Sequence, residues 1–158
     1  MSFVERLRPE LIRVAPPWRT FTETIGGLVQ ALAASGALPA AGEAAAVQAV
    51  VTREAEAPTA LLDIGVGVPH ARLAGLDEPR VALAVSARGL YEAVPTVPIR
   101  IVALVLSPPD ARADHLDILA SIATLLRSPA LRTRLLAASS AGAALSALRE
   151  HARVAPSG

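Results

Sequence analysis

The chain has 158 residues, 53% of them hydrophobic but only 3% aromatic, with 15 basic and 14 acidic side chains for a formal charge of +1. That near balance, with both signs scattered along the chain, excludes the basic stripe by which proteins neutralise a nucleic-acid backbone. Every basic residue is arginine and cysteine is absent, so lysine Schiff bases, P-loops, disulfides, thiol catalysis and cysteine-ligated metals are excluded too.

The length suits one domain, residues 1–158, with a core built on Leu, Val, Ile and Ala. The opening MSFVERLRPELIRV carries charges throughout and lacks the apolar centre of a signal peptide. An uncharged span, residues 24–42, is broken by Gly26, Gly27, Gln30, Gly36 and Pro39, so no membrane insertion is expected and a cytoplasmic location is. Residues 18–38 place Ile25, Leu28, Val29, Leu32 and Ala33 at helical spacing, with Gly36 as the stop. Residues 40–56 predict a second helix, ended near Pro58. The period then changes: residues 59–68, TALLDIGVGV, predict an irregular extended stretch whose glycines mark a tight bend or a close backbone approach.

Two short β-branched runs follow, VALAVSA (81–87) and IRIVALVLS (99–107), the second unbroken enough to be a strand buried on both faces and stopped by Pro108 and Pro109. DHLDILASIATLLRS (114–128) predicts a helix capped by Asp114, with Leu116, Leu119, Ala120, Ala123 and Leu126 on its apolar face. Two more helices follow, capped by Ser128 and Ser140, with Pro129 at a favoured first position and a frayed tail over residues 154–158. Helices, strands and helices in this order predict an α/β sandwich, a central sheet covered on both sides.

The polar candidates are few. His151, in an Arg-rich terminal turn, reads as a solvated surface residue. His70 stands in GVGVPHARL, straight after a stiff apolar stretch, where it is either a loop histidine satisfied by backbone or a functional group presented by the scaffold. His115 falls in the first turn of the helix, a place hospitable to anions that favours neutral imidazole, or else an ordinary solvated position. Arg53 and Arg72 are by default solvated charges. No G-x-S-x-G elbow occurs. A metal site would need His70, His115 and Asp114 to converge, but no H-x-x-x-H spacing supports one. The glycines at 65 and 67 lack the strand-turn-helix context of a dinucleotide fold.

GVGVPHAR (65–72), the apolar strand IVALVLSPP (101–109) and HLDILASIATLL (115–126), with Arg53-Glu54 upstream and Pro58-Thr59 after it, resemble the IIA domain of the fructose–mannitol–nitrogen class of the bacterial phosphoenolpyruvate:sugar phosphotransferase system. The resemblance runs over residues 3–150 and is specific over 53–135. It departs from the pattern in the one-residue longer spacing from Arg53 to His70, at Asp63-Ile64, and in YEAVPTVP (91–98).

The resemblance implies a mixed, mostly parallel sheet between helices, and a cytoplasmic phosphocarrier active in histidine phosphoryl transfer. By the same resemblance His70 is phosphorylated, His115 is the second active-site histidine and Arg53 neutralises the phosphoryl group. Thr59 lies near the site, and Arg72 faces a partner or orients phosphate. The implied partners are an HPr-type phosphocarrier as donor and a IIB component or a regulatory target downstream. The absence of fused IIB or IIC segments favours the regulatory alternative. The chemistry is consistent: a neutral imidazole with pKa near ~6.5 attacks through one nitrogen while the other donates to a fixed acceptor. The loose transition state asks for positioning and charge stabilisation from Arg53, His115 and backbone N–H groups at Gly65 and Gly67. No metal or organic cofactor is expected, because the phosphoryl group rides covalently on His70.

Overall fold

A computed structural model describes residues 1–154. A short helix α1 (Phe3–Arg6), a 3₁₀ turn (Pro9–Leu11) and strand β1 (Ile12–Val14) open the chain. Helix α2 (Phe21–Ala34) begins one turn later than the first apolar residues, because Thr20 accepts the Glu23 N–H at 3.1 Å while Glu23 reaches back to the Thr20 N–H at 3.0 Å. That reciprocal box satisfies two donors the first turn would otherwise leave open. Gly36, at φ +82°, ends the segment as its sequence position foretold. Helix α3 (Glu43–Glu56) follows a 3₁₀ turn at Ala40–Gly42 and stops before Pro58.

The irregular stretch resolves into strand β2 (Val66–Gly67), a break at Val68–Pro69, and strand β3 (His70–Arg72). His70, expected in a loop, therefore opens a short strand. Strand β4 (Arg80–Val85), the hairpin β5 (Tyr91–Val94) and β6 (Val97–Ile99), and strand β7 (Ile101–Ser107) come next. The hairpin has little sequence signal: its strands are short and Pro98 sits in an edge position, the place a sheet tolerates proline. All seven residues of β7 are buried, as the unbroken apolar run predicts, and each buried Val or Leu there contributes roughly 1.5–3 kcal/mol.

The main sheet runs β1-β4-β7-β2, with β3 also on β7. β1 pairs with β4 in parallel, β2 and β3 both lie parallel to β7 along one edge, and β4 with β7 is the antiparallel exception. The mixed, mostly parallel α/β sheet expected from the sequence is present. β2 and β3 act as one edge strand interrupted by Pro69, whose carbonyl still accepts the Val105 N–H at 3.1 Å. Helices α2 and α3 pack on one side. Helices α4 (Arg112–Leu126), α5 (Pro129–Ala137) and α6 (Ala141–Val154) complete the chain, with α1 packed against α4 and α6.

Ser128 and Ser140 accept N–H bonds from Leu131 and Ala143, the caps read from the sequence. Two expectations for α4 change. It starts at Arg112, with Ala111 at the cap position and no side-chain cap, so Asp114 sits inside the first turn. Its buried stripe is His115, Ile118, Ile122, Leu125 and Leu126, one step round from the predicted face, and Leu116 is 63% exposed. His115 faces β7, where its ring meets Ser107, and the isoleucines three and seven residues on share that inward face. His151 is half-buried in α6. Val154, the first residue of the expected frayed tail, still belongs to α6, and the rest of that tail lies outside the described residues.

Candidate active site

The turn ahead of β2 is shaped by Gly65, at φ +66°, where a side chain is strained. Its carbonyl accepts the Arg100 N–H at 2.9 Å and the Ile101 N–H at 3.4 Å, which locks β2 to the start of β7. Gly67 lies inside the ladder, and a Cβ there would run into the Tyr91 hydroxyl. These contacts give both glycines a conformational and packing role. Tyr91 meets Phe21 edge-to-face at 5.2 Å, and its buried hydroxyl has no hydrogen-bond partner among the described residues. Burial, and then the negative charge of Glu54, push that hydroxyl's pKa above the ordinary tyrosine value.

β3 carries the first histidine. Register places His70 opposite Val105, Ala71 opposite Leu106 and Arg72 opposite Ser107. His70 Nδ1 lies 2.8 Å from the Val68 carbonyl oxygen, which can only accept, so Nδ1 carries the proton and donates. Nε2 therefore holds the lone pair of the neutral ring. Pro69, between donor and acceptor, fixes its own φ and keeps that geometry short and stiff.

His70 and His115 face each other edge-on, with ring centroids 5.3 Å apart and an interplanar angle of 62°. His115 is buried in α4, and its Nδ1 is 2.6 Å from the Ser107 hydroxyl at the end of β7. Its backbone N–H donates to the Ala111 carbonyl at 3.1 Å. Burial, then the positive charge of Arg72, then His70 and Arg53 lower its pKa to about 4, which keeps the imidazole neutral at pH 7.

Arg72 is exposed and shares the His70 face of β3, as the two-residue alternation requires. Its Nη1 donates to the Pro108 and Ala111 carbonyls, both at 3.3 Å, so it ties the turn between β7 and α4. Arg53 lies in the last turn of α3, where its carbonyl accepts the Ala57 N–H at 2.9 Å; its exposed side chain makes no hydrogen bond or ion pair among the described residues and is near enough for its charge to act on His115. Thr59 is held by Glu54: its N–H donates at 2.9 Å and its hydroxyl at 2.7 Å to the two carboxylate oxygens. That pairing fastens the segment after α3 and occupies the Thr59 proton. The structure thus brings His70, His115 and Arg72 together at one edge of the sheet, with Arg53 within reach of His115 by its charge and Thr59 bonded to Glu54 of α3. Among the described residues no three His, Asp or Glu side chains are grouped to hold a metal ion. Nor, among the described residues, is any helix long and apolar enough to cross a membrane.

Sequence reasoning missed Ser107. Its only signal is a lone polar residue closing an apolar strand, eight positions ahead of a histidine.

Residues 5–151 match the family described as phosphoenolpyruvate-dependent sugar phosphotransferase system, EIIA 2. The chain is 36% identical over 97 residues to the PTS system fructose-specific EIIA component of Haloferax volcanii, covering 61% of this chain and 62% of that protein, under two thirds of its length. It is 36% identical over 122 residues to a nitrogen regulatory protein of Bradyrhizobium diazoefficiens, covering 76% and 79%. Among solved structures it is similar to nitrogen regulatory protein IIA-Ntr from Neisseria meningitidis, at TM-score 0.78 and 23% identity over 92% of this chain and 97% of that one. It is also similar to the Escherichia coli complex of enzyme IIAMtl with phosphorylated enzyme IIBMtl, at TM-score 0.71 and 21% identity over 91% and 97%. These structural likenesses show a shared fold.

Proposed function

Because the chain belongs to the EIIA 2 family of the phosphoenolpyruvate-dependent sugar phosphotransferase system, we propose that it is a phosphocarrier whose His70 takes a phosphoryl group from an HPr-type phosphohistidine and passes it to a IIB component. The observation that carries this reading is the His70 ring itself, held by Nδ1–H to the Val68 carbonyl so that Nε2 is left with its lone pair. In the transfer the donor's N–P bond breaks, its electron pair returns to the donor ring, and a new N–P bond forms at His70 Nε2. As that lone pair is drawn into the bond the His70 ring gains positive charge, and the Nδ1–H bond to the carbonyl strengthens in step.

The transferring group is loose and anionic, so the remaining work is positioning and charge stabilisation. The Arg53 side chain, without a partner among the described residues, meets the equatorial oxygens with its guanidinium fork, and His115 supplies a neutral N–H. Arg72 keeps the β7–α4 turn in place and adds positive potential. Gly65 and Gly67 shape the backbone path to His70, and Thr59 holds the end of α3 where Arg53 needs it. The chemistry uses no metal or organic cofactor. This reading treats residues 1–158 as one IIA domain and places it in the cytoplasm, with its donor.

The test is incubation with enzyme I, an HPr-type carrier and labelled phosphoenolpyruvate. Label is expected on the wild-type chain and absent from His70→Ala. Label that survives His70→Ala but vanishes with His115→Ala reverses the assignment. A second reading rests on the greater share of the nitrogen regulatory relative that the chain spans: the phosphoryl group is a mark that governs binding to a regulatory target. Onward transfer to a IIB component separates the two, since the regulatory reading expects label to stay on His70.

A further inference from the structure

The second histidine does its work through one N–H, and which ring nitrogen bears it is decided by the residue behind it. We propose that Ser107 is a positioning residue: its buried hydroxyl donates to His115 Nδ1 and so fixes the tautomer whose Nε2–H is turned to the phosphoryl site beside His70. The inference rests on the phosphocarrier reading for its use, but not for its geometry.

Three observations carry it. Ser107 Oγ and His115 Nδ1 are 2.6 Å apart, a short bond in a buried setting, and Ser107 is 0% exposed. The direction follows from accounting for the protons. If Nδ1–H donated instead, the serine hydroxyl's own proton would have no acceptor among the described residues, and an unmet buried donor is the more expensive arrangement. Donation by Ser107 meets both needs with one bond. His115 Nε2, in turn, has no hydrogen-bond partner among the described residues and is not one of the fully buried unpartnered atoms, so it is the side of this 4% exposed residue left for a group from outside.

The support beneath Ser107 is rigid. It closes β7, pairs in register with Arg72, and its carbonyl accepts the Leu73 N–H at 2.8 Å. Arg72 also donates to the Pro108 and Ala111 carbonyls, which pins the turn that aims α4 and His115 at the serine. Burial and the surrounding positive charges keep the ring neutral, so it carries a single proton to be placed. Without the hydroxyl, Nδ1 competes for that proton, and each molecule holding it there presents a lone pair to an anionic group.

Two measurements decide the matter. On the unphosphorylated, ¹⁵N-histidine-labelled wild-type chain at pH 7, long-range ¹H–¹⁵N correlations are expected to show His115 with Nδ1 bare and Nε2 protonated; a protonated Nδ1 overturns the proposal, whatever any variant does. Ser107→Ala is then expected to shift His115 toward the other tautomer and slow labelling of His70 about three- to tenfold, the scale of one hydrogen bond. An unchanged rate, or a slower variant whose His115 keeps the wild-type tautomer, also overturns it. Failure of the wild-type chain to accept label from the carrier is a separate outcome: it refutes the phosphocarrier reading, while the spectrum still judges the Ser107–His115 bond.

Discussion

His70 donates its Nδ1–H to the Val68 carbonyl at 2.8 Å, so the residues on either side of Pro69 hold the ring between them. The phosphorylated chain is therefore expected to carry its phosphoryl group on Nε2 alone. Alkaline digestion followed by separation of the two phosphohistidine isomers, or ³¹P NMR of the intact chain, checks this. The Nδ1 isomer would mean that the carbonyl bond is broken before transfer.

His115 has a pKa of about 4 against an ordinary 6.5, chiefly through burial and then through Arg72. The folded state thus resists protonation that the unfolded chain accepts. Between pH 6.5 and 4 the unfolded state binds more protons, so stability is full above about 6.5 and falls as the pH drops, by about 3 kcal/mol at the lower end. Urea unfolding at several pH values should show this slope, and His115→Asn should flatten it. An equal slope in both proteins would place the titration elsewhere.

Gly67 and Tyr91 compete for one volume. A Cβ at 67 meets the tyrosine hydroxyl, which is buried and without a partner among the described residues. Gly67→Ala is expected to destabilise by about 1–3 kcal/mol. Tyr91→Phe, which removes an unpaired buried hydroxyl, should be neutral or stabilising by about 1 kcal/mol. In the double variant most of the alanine penalty should vanish. Strictly additive denaturation energies would show that the clash relaxes in another direction.

Arg53 offers the opposite case, a side chain with no protein partner among the described residues. Arg53→Gln should leave stability within about 0.5 kcal/mol. Labelling of His70 should nonetheless slow tenfold or more, because a charge-assisted fork on the phosphoryl oxygens is gone. A loss of stability in step with the loss of rate would assign Arg53 to the scaffold.

Long-period signals were the readable ones. β7 could be predicted because six apolar positions in a row, Ile101 to Leu106, fit a strand covered on both faces, and α2 because its stripe and its Gly36 stop agree. The start of α4 was misplaced because Asp114 looks like a cap, whereas the helix begins two residues before it without any side-chain cap. The buried stripe also differs by one residue, with His115 and Ile118 inward and Leu116 exposed, because the face is chosen by what packs on β7 and α1 rather than by the helix's own apolar residues. β1, β3 and the Tyr91–Ile99 hairpin are three- and four-residue strands, too short for alternation to speak, and they exist because β4 and β7 or each other supply the ladder. Of the site, His70, His115 and Arg53 stood out by residue type and motif. Ser107 did not, because a hydroxyl's meaning comes from the register that sets β7 against β3 and from the ring packed over it.

Pro69 divides the edge strand, but β7 beneath it is continuous, and Val105 and Ser107 underlie the two histidines from the same backbone. Amide exchange at Val105 and Leu106 should accordingly need whole-molecule unfolding rather than a local opening. The imidazoles stand on the least yielding part of the protein, so in any docking event the incoming protein must do the adjusting.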